Sequence, residues 1–234
     1  MLLMLPPSEG KATPSPRRAP FDLAALPFAD QLTAVRERLV AAVDPALARA
    51  PAAPAAEVYT GVLYGQLDVS SLPAGARRRA RTSVLIASGM WGLVGLADRI
   101  PGYKLPIDAR VDGVGPLAAL WRPAIAQALA PRDVDGGLVV DCRSGGYAAV
   151  WKPSRAARVE VRAFAVKPDG SRQVISHNAK ATRGRVAREL LLAPRAPRRP
   201  ADLLRLLTAA GFDAELHEPS GRAGAPWQLD VLER

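Results

Sequence analysis

The sequence predicts a single α/β domain, α+β-like in its order of elements, with a mixed sheet flanked by helices. Three observations predict it. Short apolar runs, the pattern of strands buried on both faces, intermingle with stretches of helical periodicity along the whole chain. No linker separates two cores, so residues 1–234 read as one domain. No internal repeat is visible.

In chain order, MLLML at 1–5 is an apolar run stopped by Pro6 and Pro7, and reads as a buried strand. Residues 12–20, rich in Pro, Ser and Arg, read as an exposed loop. Leu32, Val35, Leu39 and Val43 recur at helical spacing, which predicts a helix over 29–44 that Pro45 ends. Residues 58–67 and 76–83 read as helical, the first weakened by Gly61 and Gly65. A strand over 84–87 is closed by the glycine-rich turn 88–95, and 103–107 reads as another strand. Residues 115–129 predict a helix with Pro116 in its first turn. Residues 138–141 read as a buried strand. Residues 159–166 alternate and pair through Pro168-Asp169-Gly170 with 173–176. A basic helix over 179–192 and a helix over 201–210 ended by Gly211 precede two last strands, 212–217 and 227–232.

Composition narrows the function classes. A single cysteine, Cys142, excludes an intramolecular disulfide and suits a reducing compartment. No apolar run approaches the roughly 18 residues of a bilayer span, and the N-terminus lacks the basic start of a signal peptide. The expectation is a cytoplasmic protein with no membrane partner. The net charge is +10. Between Arg143 and Arg199 there are 14 Lys and Arg against Glu160, Asp169 and Glu189, while the remaining 177 residues carry 18 basic and 19 acidic side chains. A basic segment in an otherwise neutral chain is either a solvated helix face or a surface for polyanions.

Several strings are more specific than scaffold requires. They are PPSEGK at 6–11, VYTG at 58–61 leading to Tyr64, SGMWGL at 88–93, YKLP at 103–106, DCRS at 141–144 with Tyr147, and HNAKATRGR at 177–185. In this order and spacing, up to the Ala-Gly-Phe stretch at 210–212, the chain resembles the YaaA family of bacterial peroxide-stress proteins. The resemblance implies a mixed α/β fold with a positively charged cleft. It implies binding of duplex or branched DNA through that cleft and a helix-hairpin-helix-like element, and a part in limiting iron-driven oxidative damage. No enzymatic reaction comes with it.

The residues themselves support two readings. On a helix over 179–192, Lys180, Arg183, Arg185 and Arg188 fan over roughly 200°, a broad side able to lie along a phosphate backbone. Leu191 falls among these cations, and Gly184 suggests an irregular start. Asn178 is a good N-cap, with His177 beside it. Lys152 joins this set as a phosphate contact, with Lys104 and Arg110 flanking it, so Lys104, Arg110, Lys152, Lys180, Arg183, Arg185 and Arg188 are the nucleic-acid-binding candidates. Arg183 and Arg188 are expected to be exposed, so that their removal hardly touches folding. The string 89–100 reads from spacing as a plain glycine turn after a strand; only the resemblance makes it a hairpin between two helices.

The alternative is an enzyme acting on a nucleotide or nucleobase, with the same cleft holding a phosphorylated small molecule. Glu9, Lys11, Tyr59 and Asp141 are its acid–base or positioning candidates. Ser8, Glu9 and Lys11 sit just past a strand end, a common ligand position in α/β sheets. No Walker string is present. Two histidines and one cysteine without ligand spacing give no metal site. A triad of Ser144, His177 and Asp141 lacks a nucleophile elbow. The sequence names no cofactor and no oligomeric state.

Overall fold

The computed structural model describes residues 1–134, 137–174, 178–222 and 224–233. β1 (Leu2–Leu5) is followed by a long excursion through α1 (Ala29–Val43), β2 (Ala53–Pro54), α2 (Ala55–Val58), α3 (Val62–Leu67) and α4 (Ala74–Ser83). The chain returns in β3 (Val84–Ser88) and β4 (Gly92–Val94). It then passes the short strands β5 (Arg99–Ile100), β6 (Arg110–Val111) and β7 (Gly115–Pro116). α5 (Leu117–Val134) carries it to β8 (Leu138–Asp141) and α6 (Gly145–Ala148). β9 (Ala157–Val166), β10 (Arg172–Val174), α7 (Asn178–Leu192), α8 (Pro200–Ala209), β11 (Ala214–His217) and β12 (Trp227–Glu233) complete it.

The main sheet is mixed, in the order β11-β12-β9-β8-β1-β3-β4, with β10 on β9. The neighbours from β3 through β1, β8 and β9 to β12 are parallel. The outer pairs β3–β4, β9–β10 and β11–β12 are antiparallel. β1, β3 and β8 are buried along their whole length, which is why they read as unbroken apolar runs. From β1 the chain goes first to β3 on one side and then, through α5, to β8 on the other. The strand order therefore reverses beside β1. In open α/β sheets the crevice beyond the carboxyl ends of the strands at such a reversal is where ligands bind.

Among the charged side chains in the core is one that fastens a helix to the sheet. Arg36 of α1 is fully buried and donates to the carbonyls of Pro27, Trp91 and Leu93 at 2.9–3.0 Å. It locks α1 onto the β3–β4 turn, and burial lowers its pKa to about 10. α5 packs on α1 and runs through Pro123 and Pro131, past the expected end. Its buried face of Leu117, Trp121, Ile125 and Leu129 outweighs the helix-breaking tendency of proline.

Other expectations are corrected. The helix over 58–67 is two, because Gly61 is extended and Tyr59 bridges to Lys11. Residues 103–107 are irregular, and their backbone presses on Gly89, where a Cβ would meet Leu105 O at 2.2 Å. The string 89–100 forms β4 and β5, not a hairpin between helices; Gly92 takes φ +71° against the Trp121 ring. α7 is regular through Gly184, and Leu191 is fully buried beneath Arg79 of α4, which donates to its carbonyl at 2.6 Å. His177 lies outside the described residues, and so does the capping role of the Asn178 side chain.

Candidate functional site

A cleft of about 730 Å³ opens at the sheet reversal. Its floor is the segment from Pro6 to Lys11 that leaves β1. One wall is the start of α3, with Leu63 and Tyr64; another is Ser144, Gly146 and Tyr147 beyond β8. Lys104 to Asp108 and, from α7, Lys180 and Arg183 close the rim. Five of the six strings singled out in the sequence thus supply lining residues. The sixth, SGMWGL, backs the site: Ser88 Oγ accepts from Trp91 N at 2.9 Å and pairs with the Tyr103 hydroxyl at 2.7 Å.

Lys11 is held from both directions. Its backbone is clamped to the Tyr59 segment, with Ala12 N donating to Val58 O (2.8 Å) and Thr60 N to Gly10 O (3.3 Å). Its Nζ donates to Ser8 O at 2.7 Å and lies 4.5 Å from the Tyr103 ring centre. Burial lowers its pKa below the usual lysine value, opposed by the charge of Glu9. Glu9 is exposed and accepts from Lys180 Nζ at 2.9 Å, an ion pair across the cleft. The hydrogen bond and charge of Lys180 hold its carboxyl below the normal range. Ser8 is 5% exposed, and its hydroxyl, packed against Gly61, has no hydrogen-bond partner among the described residues. Tyr64 stacks on Tyr59 at 5.1 Å and donates to Pro6 O at 2.7 Å.

The other two acid–base candidates stand behind the surface. Tyr59 is 1% exposed, its hydroxyl paired with that of Tyr103 at 2.9 Å, and burial drives its pKa upward. Asp141 is also 1% exposed and takes a bidentate pair from Arg143, both bonds 2.8 Å, with Arg158 at 3.5 Å. Burial alone would raise its pKa, but the hydrogen bonds and charge of Arg143 hold it below the usual value. Neither lines the cleft, because both polar ends are consumed by buried partners.

The cations of α7 divide. Lys180 and Arg183 border the cleft. Arg185 and Arg188 face a separate hollow of about 530 Å³, against α3 and Phe212. Arg183 Nε donates to Val161 O at 3.1 Å, Arg185 pairs with Glu233, and Arg188 Nη1 donates to Leu67 O and Asp68 O, both 3.0 Å. The expected exposure of Arg183 and Arg188 is corrected: both are half-buried, because backbone carbonyls that need donors lie beneath them. Lys104, Arg110 and Lys152 are exposed, and of these only Lys104 borders the cleft. Arg188→Ala is expected to lower stability by about 1 kcal/mol, the share of a charge-assisted hydrogen bond left after partial solvent screening. The urea midpoint measures it; an unchanged midpoint would mean that water serves those carbonyls equally well.

Sequence reasoning missed the Tyr103 hydroxyl link, the Arg143 clamp and Asp108 on the rim. No group of metal-ligating side chains occurs among the described residues. No helix among them is long and apolar enough to cross a membrane.

Known proteins match nearly the whole chain in sequence. The family profile described as "Peroxide stress protein YaaA" matches residues 1–216. A UPF0246 protein of Streptomyces coelicolor is 40% identical over 259 residues, covering 99% of this chain and 98% of the relative. A UPF0246 protein of Corynebacterium efficiens is 33% identical, covering 93% and 96%. One of Corynebacterium glutamicum is 32% identical, covering 92% and 95%. The cleft, assembled from the strings that carried the resemblance, is therefore that of a member of the YaaA family of peroxide stress proteins.

Proposed function

We propose that the chain serves the peroxide response by binding DNA non-specifically, with the backbone drawn across the mouth of this cleft. The observation that carries the reading is the charge of the lining: Lys11, Lys104, Lys180 and Arg183 against Glu9 and Asp108. The exposed Lys104 and Lys180 are the primary phosphate contacts. Arg110 and Lys152 extend the contact beyond the rim, and Arg183 adds field from its half-buried place. Arg185 and Arg188 lie in the other hollow and contribute less. A protein lying on the backbone also competes for phosphates with ferrous ions, whose reaction with peroxide would otherwise start at the sugar. That is how binding limits iron-driven damage in a cytoplasmic setting.

The test is a salt titration of duplex and branched DNA binding. The logarithm of the affinity is expected to fall by about 0.9 per phosphate neutralised for each tenfold rise in salt. Lys104→Ala with Lys180→Ala should flatten that slope by about two contacts at every sequence tested. A flat wild-type profile, or a slope the double variant leaves alone, overturns the reading.

A second reading, an enzyme acting on a nucleotide or nucleobase, is favoured by one observation. The buried Ser8 hydroxyl, without a partner among the described residues, and the half-buried Lys11 amine share one cleft, more chemistry than backbone binding requires. Glu9 and Lys11 would carry it, with Tyr59 and Asp141 supporting from behind. Turnover of a free mononucleotide by the wild type, abolished in Lys11→Arg, is the result that would favour it.

A further inference from the structure

Lys11 differs in kind from the cations around it. Lys104 and Lys180 are exposed, and Arg183 carries a guanidinium in place of an amine. Lys11 is half-buried on the floor of the cleft, its backbone fixed by the bridge to Tyr59. Its Nζ is oriented by one donated hydrogen bond to Ser8 O and flanked by the faces of Tyr103 and Tyr59. A lysine lowered in pKa by burial keeps a larger neutral fraction near pH 7, and the neutral amine is the nucleophile. The Ser8 hydroxyl, with no partner among the described residues, borders the same floor and can donate to an oxygen placed there.

We propose that Lys11 captures a carbonyl: the cleft takes a phosphate-bearing aldehyde sugar, and Lys11 Nζ adds to the aldehyde carbon to form an imine. The N–C bond forms as the carbonyl π pair moves to oxygen, which takes a proton and accepts a hydrogen bond from Ser8. The resulting carbinolamine loses its hydroxyl as water, leaving C=N in place of C=O. The balance is amine plus aldehyde giving imine plus water, with no oxidant or reductant. The proposal rests on the cleft as the phosphate site, where Lys104, Lys180 and Arg183 hold the phosphate while Lys11 meets the carbonyl. Two sources share this chemistry: the ring-opened sugar of a base-free position within a DNA strand, and a free aldose phosphate in its open form.

Borohydride trapping on the full chain separates the outcomes. The probes are an oligonucleotide with one abasic position, the same oligonucleotide intact, and free 2-deoxyribose 5-phosphate. Reduction turns the imine into a stable secondary amine, which peptide mass mapping places among the five lysines Lys11, Lys104, Lys152, Lys167 and Lys180. The expected result is an adduct on Lys11 with an aldehyde probe and none with the intact strand. It should persist in Lys167→Arg, fall several-fold in Ser8→Ala and vanish in Lys11→Arg of unchanged circular dichroism. Whichever aldehyde probe is captured identifies the source. An adduct on another lysine, or spread evenly over several, overturns the proposal. So does the absence of any adduct in protein that still binds DNA with a steep salt slope, a result that leaves the phosphate site standing. Absence of both adduct and salt-dependent binding overturns the phosphate site as well.

Discussion

Asp141→Ala is expected to destabilise the protein by about 3–5 kcal/mol, the cost of breaking a buried ion pair from one side. Among the described residues the carboxylate is the counter-charge of the Arg143 side chain, 1% exposed, and it neutralises Arg158, 8% exposed, from a second direction. Alanine leaves two guanidiniums in the interior with no counter-charge among the described residues. The damage should reach the cleft, because Arg143 also donates to the carbonyls of Tyr147 (3.3 Å) and Trp151 (2.8 Å), shaping the turn that presents Ser144 and Tyr147. The pH dependence has a definite sign. The folded pKa of Asp141 is depressed below its unfolded value, near 3.9. Its contribution is complete above the unfolded value and is lost as pH falls through the folded one. Urea unfolding of wild type and variant should therefore differ most near neutral pH and converge in strong acid. Equal midpoints at pH 7 would mean that the arginines find other partners.

That ion pair also marks the limit of what the chain reveals before folding. β1, β3 and β8 were legible because strands buried on both faces need apolar side chains throughout, and any cleft at their ends must be built from the segments that leave them. PPSEGK after β1 and the RS–Tyr147 stretch after β8 were visible for that reason. The burial of Asp141 and Arg36 was not legible. A polar side chain is tolerated inside only when distant groups complete its hydrogen bonds, and spacing along the chain carries no sign of them. The Glu9–Lys180 pair joins residues 171 positions apart, and the Arg188 carbonyl partners lie about 120 positions away. The helical fan of α7 was geometrically sound. What it could not say was which sector faces the cleft and which faces α3.

Gly184→Ala is expected to destabilise the protein by about 2 kcal/mol, against the sign that local propensity predicts. Within a helix, glycine to alanine is worth about 1 kcal/mol of stabilisation. At this position α7 packs directly on α3, and a Cβ would stand 2.3 Å from Leu63 O and 2.7 Å from Gln66 Cβ. The first obstacle is backbone, which cannot rotate away as a flexible side chain would. The two helices must part, and overpacking of this kind costs about 1–3 kcal/mol, occasionally more. Gly65→Ala is the matched control: it is exposed on α3 with nothing within 4 Å of its Cβ, and should be neutral or stabilising by up to about 1 kcal/mol. The spacing matters to the site because α3 contributes Leu63 and Tyr64 to one wall of the cleft and α7 contributes Lys180 and Arg183 to the rim. Parting them shifts Lys180 and Arg183 away from the wall that Leu63 and Tyr64 form. Gly184→Ala should therefore weaken DNA binding at temperatures where circular dichroism still reports a folded chain, while Gly65→Ala binds as the wild type does. A Gly184→Ala protein that melts higher than wild type would show that α3 and α7 have room to spare, and that the cleft does not depend on their close contact.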